Sequence, residues 1–177
     1  LETQKRKSHI FDALVVCNGH HHEPRFPEYP GKFTGDFLHS HDFKRAAPFK
    51  DKRILVIGGG NSACDVAVET SRISKKTTIS WRRGYFLIPK FMFGLTTDIF
   101  ALRSRLLPKF VRLPFMKFML ELLQGKNEDI GLPKVDNHVL ATHPTVNSDL
   151  YNSVRHGKVN PKPDIEKMDG KTIYFKD

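Results

Sequence analysis

The run Arg53-Ile54-Leu55-Val56-Ile57 passes directly into Gly58-Gly59-Gly60-Asn61-Ser62-Ala63, and Ser62 to Thr70 then reads as a helix. This order of buried strand, G-x-G-x-x-A and helix is that of a dinucleotide-binding turn. Gly58 permits the sharp exit from the strand. Gly60 has no Cβ, so a pyrophosphate can approach its backbone. Ala63 is small enough for the helix to pack close to the sheet. The helix N-terminus adds unpaired N–H groups and the positive end of a dipole. The alternative is a glycine-rich turn that only connects strand to helix.

After the helix, Lys76 to Trp81 reads as the second strand of a βαβ unit. A site for NAD places Asp or Glu at the end of that strand, roughly 20 residues past the glycines, to bind the ribose 2′-OH. Here Arg82 and Arg83 stand there, followed by Gly84. Guanidinium groups can grip a 2′-phosphate bidentately, so the expected cofactor is NADPH rather than NADH. A solvated Arg pair at a strand end is the alternative.

A chain of 177 residues is enough for one domain with a core. No stretch approaches the roughly 18 apolar residues of a membrane span. Cys17 and Cys64 have neither metal-site nor redox spacing, which speaks against a disulfide and fits a reducing cytoplasm. The chain begins at Leu1 without Met, which suggests a piece of something longer. The net charge of +10 invites a nucleic-acid reading. The basic residues are scattered, however, and form no nucleic-acid motif. A positive field that steers a polyanionic cofactor accounts for them better.

Along the chain, His9 to Cys17 reads as a buried strand that ends at Asn18-Gly19. Glu23 to Gly31, with Pro24, Pro27 and Pro30, reads as extended loop. Ala46 to Asp51 reads as a linker. Thr96 to Gln124 has helical character, broken into pieces at Pro108 and Pro114, with Gly125 as a C-cap. Asn147 or Ser148 should cap a short helix from Asp149. Lys158 to Pro161 and Lys171 to Phe175 read as short strands, with a hairpin turn at Asp169-Gly170.

A second motif, Phe33-Thr34-Gly35-Asp36-Phe37-Leu38-His39-Ser40-His41-Asp42-Phe43, resembles the fingerprint of the class B flavoprotein monooxygenases. Phe33, Gly35, His39 and Phe43 carry the match. An aromatic residue other than Trp at position 43 resembles the flavin-containing monooxygenases rather than the Baeyer–Villiger enzymes. The family's G-x-G-x-S-x-x-D-x-A is matched by Gly58, Gly60, Ser62, Asp65 and Ala67. Phe11 to Gly19 and His143 to Leu150 are also similar to family segments. The resemblance runs along nearly the whole chain.

It implies an enzyme that uses FAD, NADPH and O₂ to oxygenate soft nucleophiles such as amines and sulfides, its small-molecule substrates. By position, Gly58, Gly60, Asn61, Ser62 and Ala63 would line the NADPH pyrophosphate, and Arg82 and Arg83 the 2′-phosphate. The fingerprint would sit on the linker between two nucleotide domains. The family's own FAD-binding glycine turn has no counterpart before Phe33, so FAD is expected in a full-length parent rather than on this chain alone.

The expected fold is therefore α/β and Rossmann-like, a mostly parallel sheet with a helical insertion, flanked by partial FAD-domain segments. Residues 1–50 would hold a partial FAD-domain segment and the linker, 51–150 the NADPH-binding domain, and 151–177 a return segment toward the FAD domain. A Baeyer–Villiger enzyme and a non-catalytic nucleotide-binding module remain open. A flavin disulfide reductase would need a redox cysteine pair.

No metal site is expected. His20-His21-His22 cannot easily converge on one ion, and the fingerprint explains His39 better than a His39/His41 pair on a strand face does. Asp65 reads as a first-turn carboxylate that complements the helix dipole or holds the loop, rather than as a catalytic acid, and Trp81 as a core residue or an adenine-stacking one. Lys90 to Lys117 is basic and rich in aromatics. It should pack on the core or on a missing FAD domain, or lie on an anionic membrane surface. An apolar face left there could drive homo-oligomerisation.

Overall fold

The computed structural model describes residues 10–17, 23–136, 138–139 and 145–176. The molecule is a mixed α/β structure with small sheets. Among the described residues the strands are β1 (Gly31–Phe33), β2 (Arg53–Ile57), β3 (Lys76–Ser80), β4 (Leu87–Ile88), β5 (Phe91–Met92), β6 (Leu95–Thr96), β7 (Thr145–Val146), β8 (Val159–Lys162), β9 (Ile165–Gly170) and β10 (Thr172–Phe175). The α-helices are α1 (Asn61–Ser71), α2 (Thr97–Ser104), α3 (Lys109–Gln124) and α4 (Leu150–Arg155).

The sheet that matters for the site is β2-β3-β8, parallel throughout. β3 is its middle strand, and Thr77 and Ile79 on it are fully buried. β8 lies at the edge, so Pro161, opposite Ile79, costs no ladder bond inside the sheet. α1 presents Cys64, Ala67 and Val68 at helical spacing to the sheet. Beside it, α4 adds Leu150, Tyr151 and Val154 to the same core, which Trp81 and Val159 complete. Because β8 belongs to this sheet, the sheet takes its third strand from beyond residue 150.

A second sheet runs β1-β9-β10, parallel between β1 and β9 and antiparallel between β9 and β10. Asp169 pairs with Thr172, so the hairpin turn is centred on Gly170-Lys171, one residue later than expected. Gly170 takes φ +56°, which suits it to the tight turn.

Three further expectations need correction. Residues 10–17 form no strand, and Phe11, Leu14, Val15 and Val16 are exposed. Apolar sequence alone cannot make a strand without a neighbour to pair with, and no strand of the described residues pairs with it. Pro114 does not break the helix: α3 runs through it. Pro114 lies near the start of α3, where the only carbonyl it leaves without a helical partner is that of Phe110 in the first turn. Pro108 does separate α2 from α3. The third correction concerns residues 39–42, which form a turn closed by Asp42 N–H to His39 O at 3.0 Å. His39 and His41 therefore do not share a strand face.

Both expected helix caps form. Gly125 ends α3 at φ +81°. Asn147 Oδ1 accepts from the N–H groups of Asp149 (2.9 Å) and Leu150 (2.7 Å), capping α4. Cys17 and Cys64 are unbonded to each other, one exposed and the other buried. No helix among the described residues is long and apolar enough to cross a membrane.

After β3 the chain builds a helical excursion over a small second core of Ile88, Met92, Met116, Leu120 and Val139. Its outer face exposes large apolar side chains: Leu106 is 91% and Phe110 79% exposed, and Leu102, Phe118 and Leu122 are also uncovered.

Candidate functional site

The glycine turn leaves the C-terminal end of β2 and opens α1. Gly58 takes φ +124°, a conformation that L side chains rarely adopt, and its N–H donates to Ser80 O at 3.0 Å. This ties the start of the turn to the end of β3. Gly59 is the packed position: a Cβ there would lie 2.5 Å from Tyr85 Cε2 and 3.2 Å from Trp81 Cδ2. Gly60 is the open one. It is the N-cap of α1, its backbone is extended (φ −82°, ψ 174°), and a Cβ there would meet nothing within 4 Å. Ala63 faces Gly58, whose added Cβ would stand 3.6 Å from the alanine methyl. Ser62 is exposed on the first turn of α1. The three glycines thus have three different reasons, and only Gly60 is free of the protein itself.

Residues 145–147 strap the turn from beneath. Thr145 Oγ1 donates to Gly59 O at 2.9 Å, Val146 N–H to Asn61 Oδ1 at 2.6 Å, and Asn147 Nδ2 to Asp65 Oδ1 at 2.9 Å. Thr145 and Asn147 are buried. The strap is β7, which pairs in parallel with β4. Asp65 is in the second turn of α1, so it holds the loop by hydrogen bonding rather than complementing the dipole in the first turn. The Asn61 side chain turns its oxygen toward the strap and keeps Nδ2 for other partners.

Arg82 and Arg83 lie exposed just past β3. Arg83 Nε donates to Tyr85 Oη at 3.2 Å, and its guanidinium carbon stands 5.3 Å from the centre of that ring. The charge of Arg82 reaches Tyr29, whose phenol is held above its ordinary value by burial first and by Asp164 second. Trp81 is 1% exposed and lies in the core. Burial, and then Asp65, push the Cys64 thiol up to about 12, which makes it an inert core group.

The fingerprint residues pack among themselves and their neighbours. Gly35 lies against the Phe33 ring, where a Cβ would come 2.5 Å from Cζ. His39 sits edge-on to Phe26 at 5.6 Å, and its Nδ1 accepts the His41 N–H at 3.1 Å. Phe43 stacks on Phe49 at 5.6 Å. Lys52 joins Asp36 to the start of β2 by an exposed ion pair of 3.3 Å. Thus the structure brings Gly58 to Ala63 and the Arg82-Arg83 pair to the same end of the parallel sheet, and keeps the fingerprint on the segment that leads into it. His20 to His22 lie outside the described residues. No cluster of metal-ligating groups occurs among the described ones.

Sequence reasoning did not place Tyr85, Thr145 or Val146 at the site. Tyr85 gave no signal, because its role depends on Gly59 and Arg83 both meeting it. Asn147 is legible as a helix cap and as part of the family-like segment His143 to Leu150, but not as a partner of Asp65.

The chain is similar to known proteins. Flavin-containing monooxygenase 5 of Oryctolagus cuniculus is 36% identical over 183 residues, which cover 98% of this chain and 34% of that protein. Flavin-containing monooxygenase 3 of Macaca mulatta is 35% identical, with the same coverage of 98% and 34%. Dimethylaniline monooxygenase [N-oxide-forming] 2 of Oryctolagus cuniculus is 34% identical, again over 98% of this chain and 34% of that one. The chain spans about a third of the length of these relatives (34%). Among solved structures, a mutant flavin monooxygenase from Stenotrophomonas maltophilia superposes with a TM-score of 0.53 at 18% identity, over 86% of this chain and 34% of that one, a likeness of fold. The model of the FMO-like family, flavin-binding monooxygenase-like, matches residues 1–177, and the chain therefore belongs to that family.

Proposed function

We propose that this chain is the NADPH-binding part of a flavin-dependent monooxygenase that oxygenates nitrogen or sulfur nucleophiles with FAD, NADPH and O₂. The β2-α1-β3 unit with β8 is read as a Rossmann-like dinucleotide fold comprising residues 51–150 and the strand that follows α4. The observation that carries the reading is the open Gly60 backbone at the N-terminus of α1, on the same sheet end as two exposed arginines.

The residues fit the cofactor. The cradle at Gly60 is one that a Cβ would fill, and the N-terminal N–H groups of α1 are suited to a pyrophosphate. Gly58, Ser62 and Ala63 shape that cradle, and Asn61 offers its Nδ2. Arg82 and Arg83 offer fork donors to a 2′-phosphate. NADPH supplies the hydride and the flavin of the full-length parent the oxygen activation; these residues bind and orient the dinucleotide. Phe33, Gly35, His39 and Phe43 are read as the hinge segment toward the FAD domain.

Calorimetry tests the assignment. NADP⁺ should bind more tightly than NAD⁺, and Arg82→Ala with Arg83→Ala should weaken NADP⁺ by about 1.5–3 kcal/mol while leaving NAD⁺ little changed. Equal affinities of the unmutated chain for the two nucleotides would refute it.

A second reading concerns the helical excursion. Arg103, Arg105, Lys109 and Lys117 are interleaved with the exposed Leu102, Leu106, Phe110 and Phe118 on α2, α3 and their connection. This combination favours an anionic membrane surface. Co-sedimentation with phosphatidylserine vesicles should be strong at low salt and weaker at high salt. No binding at low salt would refute it.

A further inference from the structure

We propose that Tyr85 is a specificity-determining positioning residue: it holds Arg83 as the rigid half of the 2′-phosphate clamp and couples it to the glycine turn. The inference rests on the NADPH reading above.

Tyr85 is fixed from three sides. Its backbone carbonyl accepts Asn127 Nδ2 at 3.0 Å, and Asn127 is buried. Its ring stands perpendicular to the buried Trp81 ring at 5.5 Å. Its ring edge lies against Gly59, the one glycine of the turn that has no room for a side chain. Arg83 rests on this platform, through the Nε–H to Oη hydrogen bond of 3.2 Å and through its guanidinium over the ring face at 5.3 Å.

A guanidinium has five N–H donors in a fixed fork. Donation from Nε leaves the four on the Nη atoms for a phosphate. An exposed Arg otherwise loses rotamer freedom when it grips an anion, and the platform removes part of that freedom beforehand. Because the same ring packs against Gly59, the distance between Arg83 and the pyrophosphate cradle is set by one side chain. The adenosine ribose, the part of the cofactor in which NADP⁺ and NAD⁺ differ, would lie between the two.

The test is calorimetry of NADP⁺ and NAD⁺ with Tyr85→Phe, Arg83→Ala and the double variant. Tyr85→Phe keeps the ring against Gly59 and removes only the hydroxyl. It should lower NADP⁺ affinity by about 3- to 10-fold, the range of one hydrogen bond, and leave NAD⁺ unchanged. In the Arg83→Ala background the same change should have no effect. Tyr85→Ala, which also removes the support beneath Gly59, should weaken both nucleotides. An equal loss of both nucleotides in Tyr85→Phe would make Tyr85 a support of the turn only and overturn the proposal, as would an unchanged NADP⁺ affinity. Failure of the unmutated chain to prefer NADP⁺ would instead overturn the NADPH reading and this proposal with it.

Discussion

A side chain at Gly60 should separate binding from folding. Its backbone is extended at φ −82° and ψ 174°, and an added Cβ meets no atom within 4 Å. The Cβ of Gly60→Val therefore meets open space inside the protein. It forfeits only the N-cap preference of glycine over valine, about 1 kcal/mol, which lowers the Tm by about 2–4 °C for a chain of this size. The effect on the ligand is larger. The valine side chain occupies the space in which a pyrophosphate must meet the first N–H groups of α1. Loss of two charge-assisted hydrogen bonds at about 1.5 kcal/mol each weakens both NADP⁺ and NAD⁺ by at least about 100-fold. Gly59→Ala makes the opposite contrast: its Cβ runs into the Tyr85 ring and approaches Trp81, an overpacking cost of about 1–3 kcal/mol. Calorimetry with a thermal melt of each variant checks both. A folded Gly60→Val protein that still binds NADP⁺ would place the site elsewhere and refute the argument.

Alkaline stability should depend on two buried groups. The Cys64 thiol, ordinarily at 9.0, and the Tyr151 phenol, ordinarily at 10.0, are each raised to about 12 by burial. Both folded values exceed the unfolded ones, so their contribution is complete below pH about 9 and is lost as pH rises toward 12, at about 1.4 kcal/mol for each group and each pH unit climbed between its unfolded and folded values. Urea denaturation from pH 8 to 11 should show this fall, and Cys64→Ala should flatten it. Thiol labelling of the native chain should modify the exposed Cys17 at once and Cys64 only as the protein unfolds. Gly31→Ala should unpair β1 from β9, because Gly31 takes φ +89° and its Cβ would overlap the Met168 carbonyl oxygen; a Tm drop of several degrees checks it.

The turn was legible in the sequence because its requirements are local. Five residues of strand, a glycine able to take positive φ, a bare backbone at position 60 and a small residue at 63 are all properties of adjacent residues, and the structure realises each. The same holds for the Gly125 cap. Reading failed where the outcome depended on a partner. The apolar stretch at 10–17 has strand composition yet no strand neighbour among the described residues. At Pro114, local rules weigh the missing N–H but not its place near the start of α3. The hairpin turn slipped by one residue because Asp169 and Gly170 both suit turns, and only the pairing with Thr172 decides between them.

By itself, the sequence determined the strand–glycine turn–helix, the arginine pair at the end of the next strand, and the order of motifs that identifies the family. The tertiary structure alone decided which atoms hold these parts together. Thr145 and Asn147 grip Gly59 and Asp65 across more than 80 residues of chain, and Tyr85 joins Gly59 to Arg83. β8, from beyond residue 150, completes the sheet beneath them. Such contacts leave no periodicity or spacing behind, because they arise from where separate segments meet once the sheet has formed, and the energy of each depends on a neighbour distant in sequence.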